Sequence, residues 1–260
     1  MKFSIVIPAH QAAATLSAVI SAWRAAEPAP ESILVIDDGS TDGSADVAER
    51  AGAKVIPLSR NSGRGSARAR GCQETSAPFV LMCDAALVPA DDFIAGVAPW
   101  FAEPKVAAVF AHVTQRPPRT FVDRWRGRHL FKDEPPVLNR RALLATGLCA
   151  LRREAVEQVG GFDPALRSGE DADLGRRLLA GGWDVVADPA LRAISLGSES
   201  AHALLARYAR WNSPQGLEGR TWLRQCAYAL KVMVLQDLRA GDPLAAMLSV
   251  AAPFYQLRRR

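Results

Sequence analysis

Short apolar runs alternate with stretches of helical periodicity through the first hundred residues. The apolar runs predict strands at residues 3–7, 32–36, 54–58 and 79–83, and the stretches between them predict helices near residues 15–23, 44–51 and 65–75. Near-continuous apolar strands separated by helices are typical of a parallel sheet that is covered on both faces. The pattern therefore predicts an α/β fold with a Rossmann-like, mostly parallel sheet and helices on both faces.

The pattern next predicts a helix at 91–101, a strand at 106–113 and a proline-bounded excursion at 117–136. Near residue 200 the pattern of hydrophobic and polar residues changes. Helical patterns dominate from there, so we predict one domain at 1–199 and a helical appendage at 200–260. The last apolar run is too short to span a bilayer, which takes about 20 residues. Because the run ends in Arg258, Arg259 and Arg260, it suits a membrane interface, and it equally suits a helix that covers the core.

Composition narrows the class of protein. Hydrophobic residues make up 49% of the chain, which excludes a disordered protein, and the net charge of +5 suits phosphate-bearing ligands or an anionic membrane surface. Basic and aromatic residues do not alternate as in RNA-binding platforms, so no nucleic-acid partner is predicted. The four cysteines form no CxxC pair, which predicts reduced thiols and a cytoplasmic protein, or one peripheral at the inner face of a membrane.

Acidic residues follow predicted strands at the carboxyl edge of the sheet, where ligands of such folds bind. The stretch VIDDGSTDGS places Asp37 and Asp38 directly after one strand, and Asp84 follows another. Carboxylates there can accept hydrogen bonds from a nucleobase N–H or from ribose hydroxyls. The alternative is that they only form an Asp-Gly turn and cap the next helix.

Six stretches, taken in order, resemble family-2 glycosyltransferases, which have the GT-A nucleotide-diphospho-sugar transferase fold. They are SIVIPAHQAAATL, ILVIDDGSTDGS, RNSGRGSARARG, VLMCDAA, GLCALRREAVEQVGGFD and GEDADLGRRLLAGGWDVVADP, and the resemblance spans roughly residues 1–195. The resemblance implies a donor that is a UDP- or GDP-sugar and an acceptor that is a glycan, a lipid-linked molecule or a small molecule. It implies no organic cofactor.

The resemblance also implies roles for individual residues. Asp38 would contact the nucleobase, and Arg64, Arg68 or Arg70 would face the phosphates. The nucleotide-sugar site would consist of Pro8, Ala9, Asp37, Asp38, Gly65, Arg68 and Asp84.

The GED stretch resembles the part of the family that carries the general base. Asp171 would take the proton from the acceptor hydroxyl, with Glu170 beside it, in a transfer that inverts the anomeric configuration. The alternative is that both acids only complement a helix dipole, which is worth about 0.3–1 kcal/mol.

The metal ligands of the family are incomplete in this chain. The family's Asp-x-Asp motif reads Asp84-Ala85-Ala86 here, and Ser195 stands where a ligating histidine is expected. Three explanations stay open. Mn²⁺ or Mg²⁺ binds weakly through Asp84 alone, or arginines stabilise the leaving diphosphate without a metal, or the chain is a non-catalytic nucleotide-binding or scaffold protein.

Overall fold

The computed structural model describes residues 1–115, 117–131, 137–197, 199–213 and 216–257. The chain divides into two compact units. The first consists of Met1–Thr114 and Pro135–Gly197, and the second consists of Gln115–Glu134 and Ser198–Arg260. The proline-bounded excursion therefore groups largely with the C-terminal helices, a grouping that periodicity alone does not indicate.

The described residues form an eight-stranded mixed sheet with the strand order β3-β2-β1-β4-β7-β6-β8-β5. Strands β1 to β4 are parallel to one another, whereas β7 pairs antiparallel with both β4 and β6, and β5 pairs antiparallel with β8. The strands are β1 Phe3–Ala9, β2 Ser32–Asp37, β3 Lys54–Pro57, β4 Phe79–Cys83, β5 Leu87–Pro89, β6 Val106–Gln115, β7 Leu148–Arg152 and β8 Asp184–Ser195.

Helices cover both faces of the sheet because its central strands are apolar on both sides. In β1, Ile5 and Ile7 belong to one buried cluster and Val6 belongs to another. The first unit contains α1 Ala13–Ala25, α2 Ser44–Arg50, α3 Arg64–Gln73, α4 Phe93–Val97, a 3₁₀ turn at Ala98–Ala102, α6 Arg153–Gln158 and α7 Glu170–Ala180. The four predicted strands of the parallel half and the three helices between them are confirmed, with bounds that differ by one or two residues.

The second unit is helical and has its own apolar core, in which Trp125, Leu204 and Met233 are buried. Its elements are α5 Phe121–Arg126, a π-helical turn at Gly127–Phe131, α8 Ala201–Asn212, α9 Gly219–Tyr228, a π-helical turn at Ala229–Val234, α10 Leu235–Arg239 and α11 Pro243–Gln256. The helical C-terminal part that the sequence predicts is therefore present. The predicted basic end at Arg258, Arg259 and Arg260 lies outside the described residues.

Candidate active site

The carboxyl ends of the parallel strands lie at one edge of the sheet. Ala9, the last residue of β1, pairs with Asp37, the last residue of β2, and the backbone N–H of Asp38 donates to the carbonyl of Ala9 at 2.8 Å. Ala9 is buried, and Pro8 before it is half-buried within the sheet. The His10 ring contacts the Asp38 carbonyl at 2.9 Å, so the start of the next loop is fastened to the same edge.

Both acids of the DDG stretch are buried and already accept hydrogen bonds. The two carboxylate oxygens of Asp38 accept from the backbone N–H groups of Ser62 at 2.7 Å and Gly63 at 2.8 Å. One oxygen of Asp37 accepts from the backbone N–H of Ser40 at 3.2 Å and from the hydroxyl of Ser40. Asp37 therefore shapes its own turn, and Asp38 holds the loop that leads into α3.

Two glycines of this loop allow close backbone approach. Gly63 has φ of 97°, and a Cβ there would lie 2.8 Å from Cα of Arg167. A Cβ on Gly65 would lie 2.3 Å from the carbonyl oxygen of Leu166, which accepts a hydrogen bond from the N–H of Gly65 at 3.1 Å. The family resemblance implies that Gly65 lies beside the nucleotide, and the structure packs this glycine against the segment that precedes α7.

Arg68 is the most deeply buried charge of the first unit, with 1% of its surface exposed. Its guanidinium donates from Nη2 to Asp84 Oδ1 at 2.7 Å and from Nη1 to Glu170 Oε1. It also lies 3.5 Å from the carbonyl oxygen of Thr146, while its Nε has no hydrogen-bond partner among the described residues. We call Arg68, Asp84 and Glu170 the Arg68 cluster.

Burial and nearby charges shift the pKa of two members of the Arg68 cluster, Arg68 and Glu170. Burial alone would lower the pKa of Arg68, but the carboxylates of Asp84, Glu170 and Asp171 hold it above its ordinary value. Burial raises the pKa of Glu170, and the guanidinium of Arg68 opposes that rise. The guanidinium is therefore a permanent cation at this position.

The two acids of the GED stretch differ in exposure. Glu170 is buried and bonded to Arg68, whereas Asp171 is half-buried at the start of α7. The carboxylate of Asp171 accepts from the backbone N–H of Ala172 at 2.8 Å, and its charge acts on Arg68. The structure thus brings Asp84, Glu170 and Asp171 together around one arginine.

The other two arginines that are expected to face phosphate, Arg64 and Arg70, are exposed. Arg70 pairs with Glu74 at 2.6 Å one turn along α3. Arg64 lies at the first position of α3, close enough that its charge acts on Glu170. Of the three arginines expected near phosphate, Arg68 is buried among carboxylates and Arg64 is presented to solvent without an ion pair to any described residue.

The residues at the expected metal position do not fit a divalent cation. Asp84, with 32% of its side chain exposed, precedes a turn in which the N–H of Leu87 donates to the Asp84 carbonyl at 3.0 Å. One Asp84 oxygen is occupied by Arg68, and Ala85 and Ala86 have no ligand atoms in their side chains. Within the described ranges, no group of three or more His, Cys, Asp or Glu side chains could hold a metal ion.

Ser195, which stands where a ligating histidine is expected, is buried at the end of β8. Ser195 pairs with Leu87 across β8 and β5 and is only 6% exposed. The residue opposite Ala86 is Leu196, whose N–H donates to the Ala86 carbonyl at 2.8 Å. Neighbouring residues of a strand face opposite sides of the sheet, so the Ser195 side chain lies on the side opposite to that of Leu196. Because Ser195 is buried beside Leu87, an imidazole at position 195 would enter packed space.

Sequence reasoning missed the role of Arg68 as the centre of the acidic cluster. The signal that could have revealed it is the spacing of small residues on α3. Gly65, Arg68 and Gly71 recur every three residues and are all buried, so Arg68 lies on the face that packs against the sheet. A buried arginine requires carboxylate partners, and Asp84 at the end of β4 and Glu170 at the start of α7 supply them.

The sequence and the fold both have known counterparts. A sequence model described as Glycosyl transferase family 2 matches residues 4–160. A pre-mycofactocin glycosyltransferase of Mycobacterium tuberculosis is 26% identical over 189 residues, which are 69% of this chain and 39% of the relative. Glycosyltransferase AglJ of Haloferax volcanii is 42% identical over 81 residues, which are 31% of this chain and 26% of that protein.

Two solved structures resemble the fold at low sequence identity. The mannosyltransferase PcManGT of Pyrobaculum calidifontis, solved in complex with GDP-Man and Mn²⁺, has a TM-score of 0.63 at 18% identity, and the match covers 96% of this chain and 73% of that one. TarS of S. aureus has a TM-score of 0.57 at 19% identity, over 80% of this chain and 39% of that one. The predicted GT-A α/β fold is confirmed, and since the family match spans more than half of the sequence, this chain belongs to glycosyl transferase family 2.

Proposed function

We propose that the chain is an inverting glycosyltransferase that moves a sugar from a nucleoside-diphosphate sugar to an acceptor hydroxyl, with Asp171 as general base. The observation that carries the proposal is the contrast between two adjacent acids. Glu170 is buried and bonded to Arg68, whereas Asp171 is half-buried and its carboxylate bonds to the backbone of its own helical turn. Only the second of these acids is open to an acceptor.

The transfer is a single displacement. Asp171 accepts the proton of the acceptor hydroxyl as that oxygen attacks the anomeric carbon and forms the new glycosidic bond. The bond from the anomeric carbon to the phosphate oxygen breaks, and the nucleoside diphosphate leaves with the electron pair. The configuration inverts because attack and departure take place on opposite sides of the carbon.

Glu170 acts in this proposal as a positioning residue. Its carboxylate forms an ion pair with Arg68, and the same guanidinium forms an ion pair with Asp84 at 2.7 Å. Arg68 therefore fastens the start of α7 to the end of β4, and with it the backbone that carries Asp171. A base must lie within hydrogen-bond reach of the proton that it removes, so this fastening serves the reaction.

The nucleotide belongs at the carboxyl edge of β1 and β2 in this proposal. Asp38 would accept from a base N–H, and Asp37 with Pro8 and Ala9 would border the base. An ionised carboxylate has about four lone-pair sites, so the two backbone N–H groups that Asp38 already binds leave capacity for a ligand. The donor is a UDP- or GDP-sugar, and the acceptor a glycan, a lipid-linked molecule or a small molecule.

The leaving diphosphate is stabilised by arginine in this proposal. The residues at the metal position do not fit a divalent cation, and Arg64 is exposed at the N-terminal end of the ten-residue helix α3. A helix N-terminus and an arginine both favour a negatively charged group. We therefore propose transfer without a metal ion. We also propose that the protein works in the cytoplasm.

The second candidate function is binding without turnover. It is favoured by the absence of a carboxylate at Ala86, because a chain that has lost metal-assisted chemistry can still bind a nucleotide through Asp38. The two functions differ in one observable quantity, which is the release of nucleoside diphosphate from a donor.

The test measures UDP and GDP released from UDP- and GDP-sugars in the presence of a chelator. Wild type is expected to release diphosphate, and Asp171→Asn to lose about 10²–10⁴-fold in rate, since that is the usual contribution of a general base. The matched control is Glu154→Gln, an exposed acid in the first turn of α6. Nucleotide binding without any release from the wild type would establish the second candidate instead.

A further inference from the structure

Residues 219–256 form an antiparallel helical hairpin within the second unit, made of α9, its π-helical continuation, α10 and α11. We call it the C-terminal hairpin. Near its open end, Trp222 Nε1 donates to the carbonyl of Pro253 at 2.9 Å, and the rings of Trp222 and Phe254 lie 5.7 Å apart. Nearer the turn, the Ser249 hydroxyl donates to Asp237 at 2.5 Å. These contacts fix which side of each helix faces the other.

The second helix of the hairpin is apolar on its exposed side as well as on its buried side. None of the 14 residues of α11 is charged. Its inward side chains, such as Leu248 and Ala252, are buried, and its exposed ones recur every three or four residues. The exposed set on α11 is Leu244, Met247, Val250 and Phe254.

The first helix of the hairpin adds exposed apolar side chains of its own. They are Leu223, Tyr228, Leu230, Leu235 and Leu238. Single exposed leucines are normal on a protein, but nine exposed apolar side chains on two packed helices mark a surface that meets an apolar phase or a partner.

The exposed charges of the C-terminal hairpin are all positive. Its four basic residues are exposed, and they are Arg220, Arg224, Lys231 and Arg239. Its only acids, Asp237 and Asp242, are buried and are ion-paired to Arg128 and Arg124. The hairpin therefore presents leucine, methionine and aromatic side chains interleaved with exposed, positively charged side chains.

We infer that the C-terminal hairpin lies on an anionic lipid surface, with its exposed apolar side chains in the headgroup boundary and its basic side chains on lipid phosphates. Basic residues beside a large apolar face are the composition of an interfacial helix. A second copy of the chain fits less well, because a twofold contact would bring the same four cations together with no exposed acid of the hairpin to pair them. No helix in the described part of the chain is long and apolar enough to cross a bilayer, so the hairpin lies in the membrane plane.

The test is flotation of the purified chain with vesicles. One set contains equal parts of phosphatidylglycerol and phosphatidylcholine, and the other contains phosphatidylcholine alone. The chain is expected to float with the anionic vesicles and to be released by salt. Replacing Arg224 and Lys231 by Gln should weaken binding about fivefold per charge, roughly 30-fold together.

The apolar contribution is tested by Met247→Asp, which should weaken binding by at least about tenfold because it places a carboxylate where a thioether meets lipid. Leu223→Asp on the other helix is a second variant with the same expectation. Both side chains are well exposed, at 67% and 59%, so folding is preserved, and this is checked by circular dichroism. The matched controls are Leu143→Asp, 60% exposed in the first unit, and Arg50→Gln at the end of α2.

Three outcomes would overturn the inference. One is that the wild type fails to float with anionic vesicles, and another is that Met247→Asp and Leu223→Asp float as well as Leu143→Asp. The third is a dimer in light scattering that Met247→Asp dissociates, which would make the surface an interface between two copies. Diphosphate release from a soluble donor does not involve this surface, so the inference and the proposed function fail separately.

Discussion

Each unit of the chain contains a buried cluster of charges, and the two clusters differ in how completely they are closed. In the first unit, Arg68 is the buried centre, and one of its carboxylate partners, Asp84, keeps 32% of its side chain exposed. In the second unit the centre is an acid, Asp237, with 0% exposed. Asp237 accepts from Arg128, from the ring of His129 at 2.9 Å and from the hydroxyl of Ser249 at 2.5 Å. We call these four residues the Asp237 cluster.

This difference distinguishes a structural network, the Asp237 cluster, from a candidate functional site, the Arg68 cluster. The Asp237 cluster is covered by Trp125, whose indole N–H donates to Ser249 at 2.8 Å, and none of its buried side-chain polar atoms lacks a hydrogen-bond partner among the described residues. The Arg68 cluster leaves Arg68 Nε and the Thr146 hydroxyl without a partner among the described residues and adjoins the half-buried Asp171. Burial of charge alone does not indicate function; an incompletely satisfied cluster beside an open carboxylate does.

The largest expected effect on stability comes from removing the centre of the closed cluster. Asp237→Ala leaves Arg128 and His129 without their common acceptor and should lower the free energy of unfolding by about 3–5 kcal/mol. Asp84→Ala should cost no more than about 1 kcal/mol, because its partly exposed carboxylate gains less from the pair and Arg68 keeps Glu170. Urea unfolding followed by circular dichroism measures both. Equal losses would mean that the two clusters are closed to the same degree.

A smaller effect is that the two clusters' contributions to the free energy of unfolding change with pH in opposite directions. Although burial opposes it, hydrogen bonds from His129, Ser249 and Arg128, together with the charge of His129, lower the pKa of Asp237 below its ordinary 3.8. The stability that Asp237 contributes is therefore complete above pH 3.8 and is lost as the pH falls through its lower folded pKa. Burial raises the pKa of Glu170 above 4.5, so its contribution to the free energy of unfolding falls as the pH rises from 4.5 through the raised value.

The measurement is the free energy of unfolding against pH for the wild type, Asp237→Asn and Glu170→Gln. The difference between wild type and Asp237→Asn should grow with pH up to about 3.8, and that between wild type and Glu170→Gln should shrink above about 4.5. Differences that change in the same direction would contradict the assignment of the two clusters.

The smallest expected effect concerns the missing metal ligand at the edge of the Arg68 cluster. Ala86→Asp restores a second carboxylate two residues after Asp84. We expect Mn²⁺ to strengthen UDP or GDP binding to this variant by about tenfold, or 1.4 kcal/mol. The control is Ala90→Asp, which adds the same charge after β5 and away from that turn. An identical response of both variants would show that position 86 is not beside the diphosphate.

The sequence predicts the parallel half of the sheet well and the antiparallel half less completely. Strands β1 to β4 are short, continuously apolar and separated by helices, so each is visible in the local pattern. Strand β5 has only three residues, and the twelve residues of β8 continue through Pro189. The pairing of these strands depends on partners far along the chain, which a local pattern does not specify.

The candidate site, like the sheet, is predictable from the sequence only in part. The acids at strand ends are predictable because parallel strands end at a common edge, and Asp38 and Asp84 are found there. The partner of each acid is not predictable from the local pattern, because Arg68 meets Glu170 across 102 positions of sequence and Asp38 meets the backbone of Ser62 and Gly63. Leu196, the residue opposite Ala86, likewise cannot be identified from the local pattern, because its place follows only from the register of β5 with β8.

The central claim is that this chain holds a nucleoside diphosphate through protein groups, without a divalent cation. Calorimetric titration of UDP and of GDP into the wild type, once with a chelator and once with Mn²⁺, tests it most directly. We predict that at least one of the two nucleotides binds, and that its affinity is the same in both buffers. Binding that needs Mn²⁺ would contradict the claim, and so would the failure of both nucleotides to bind.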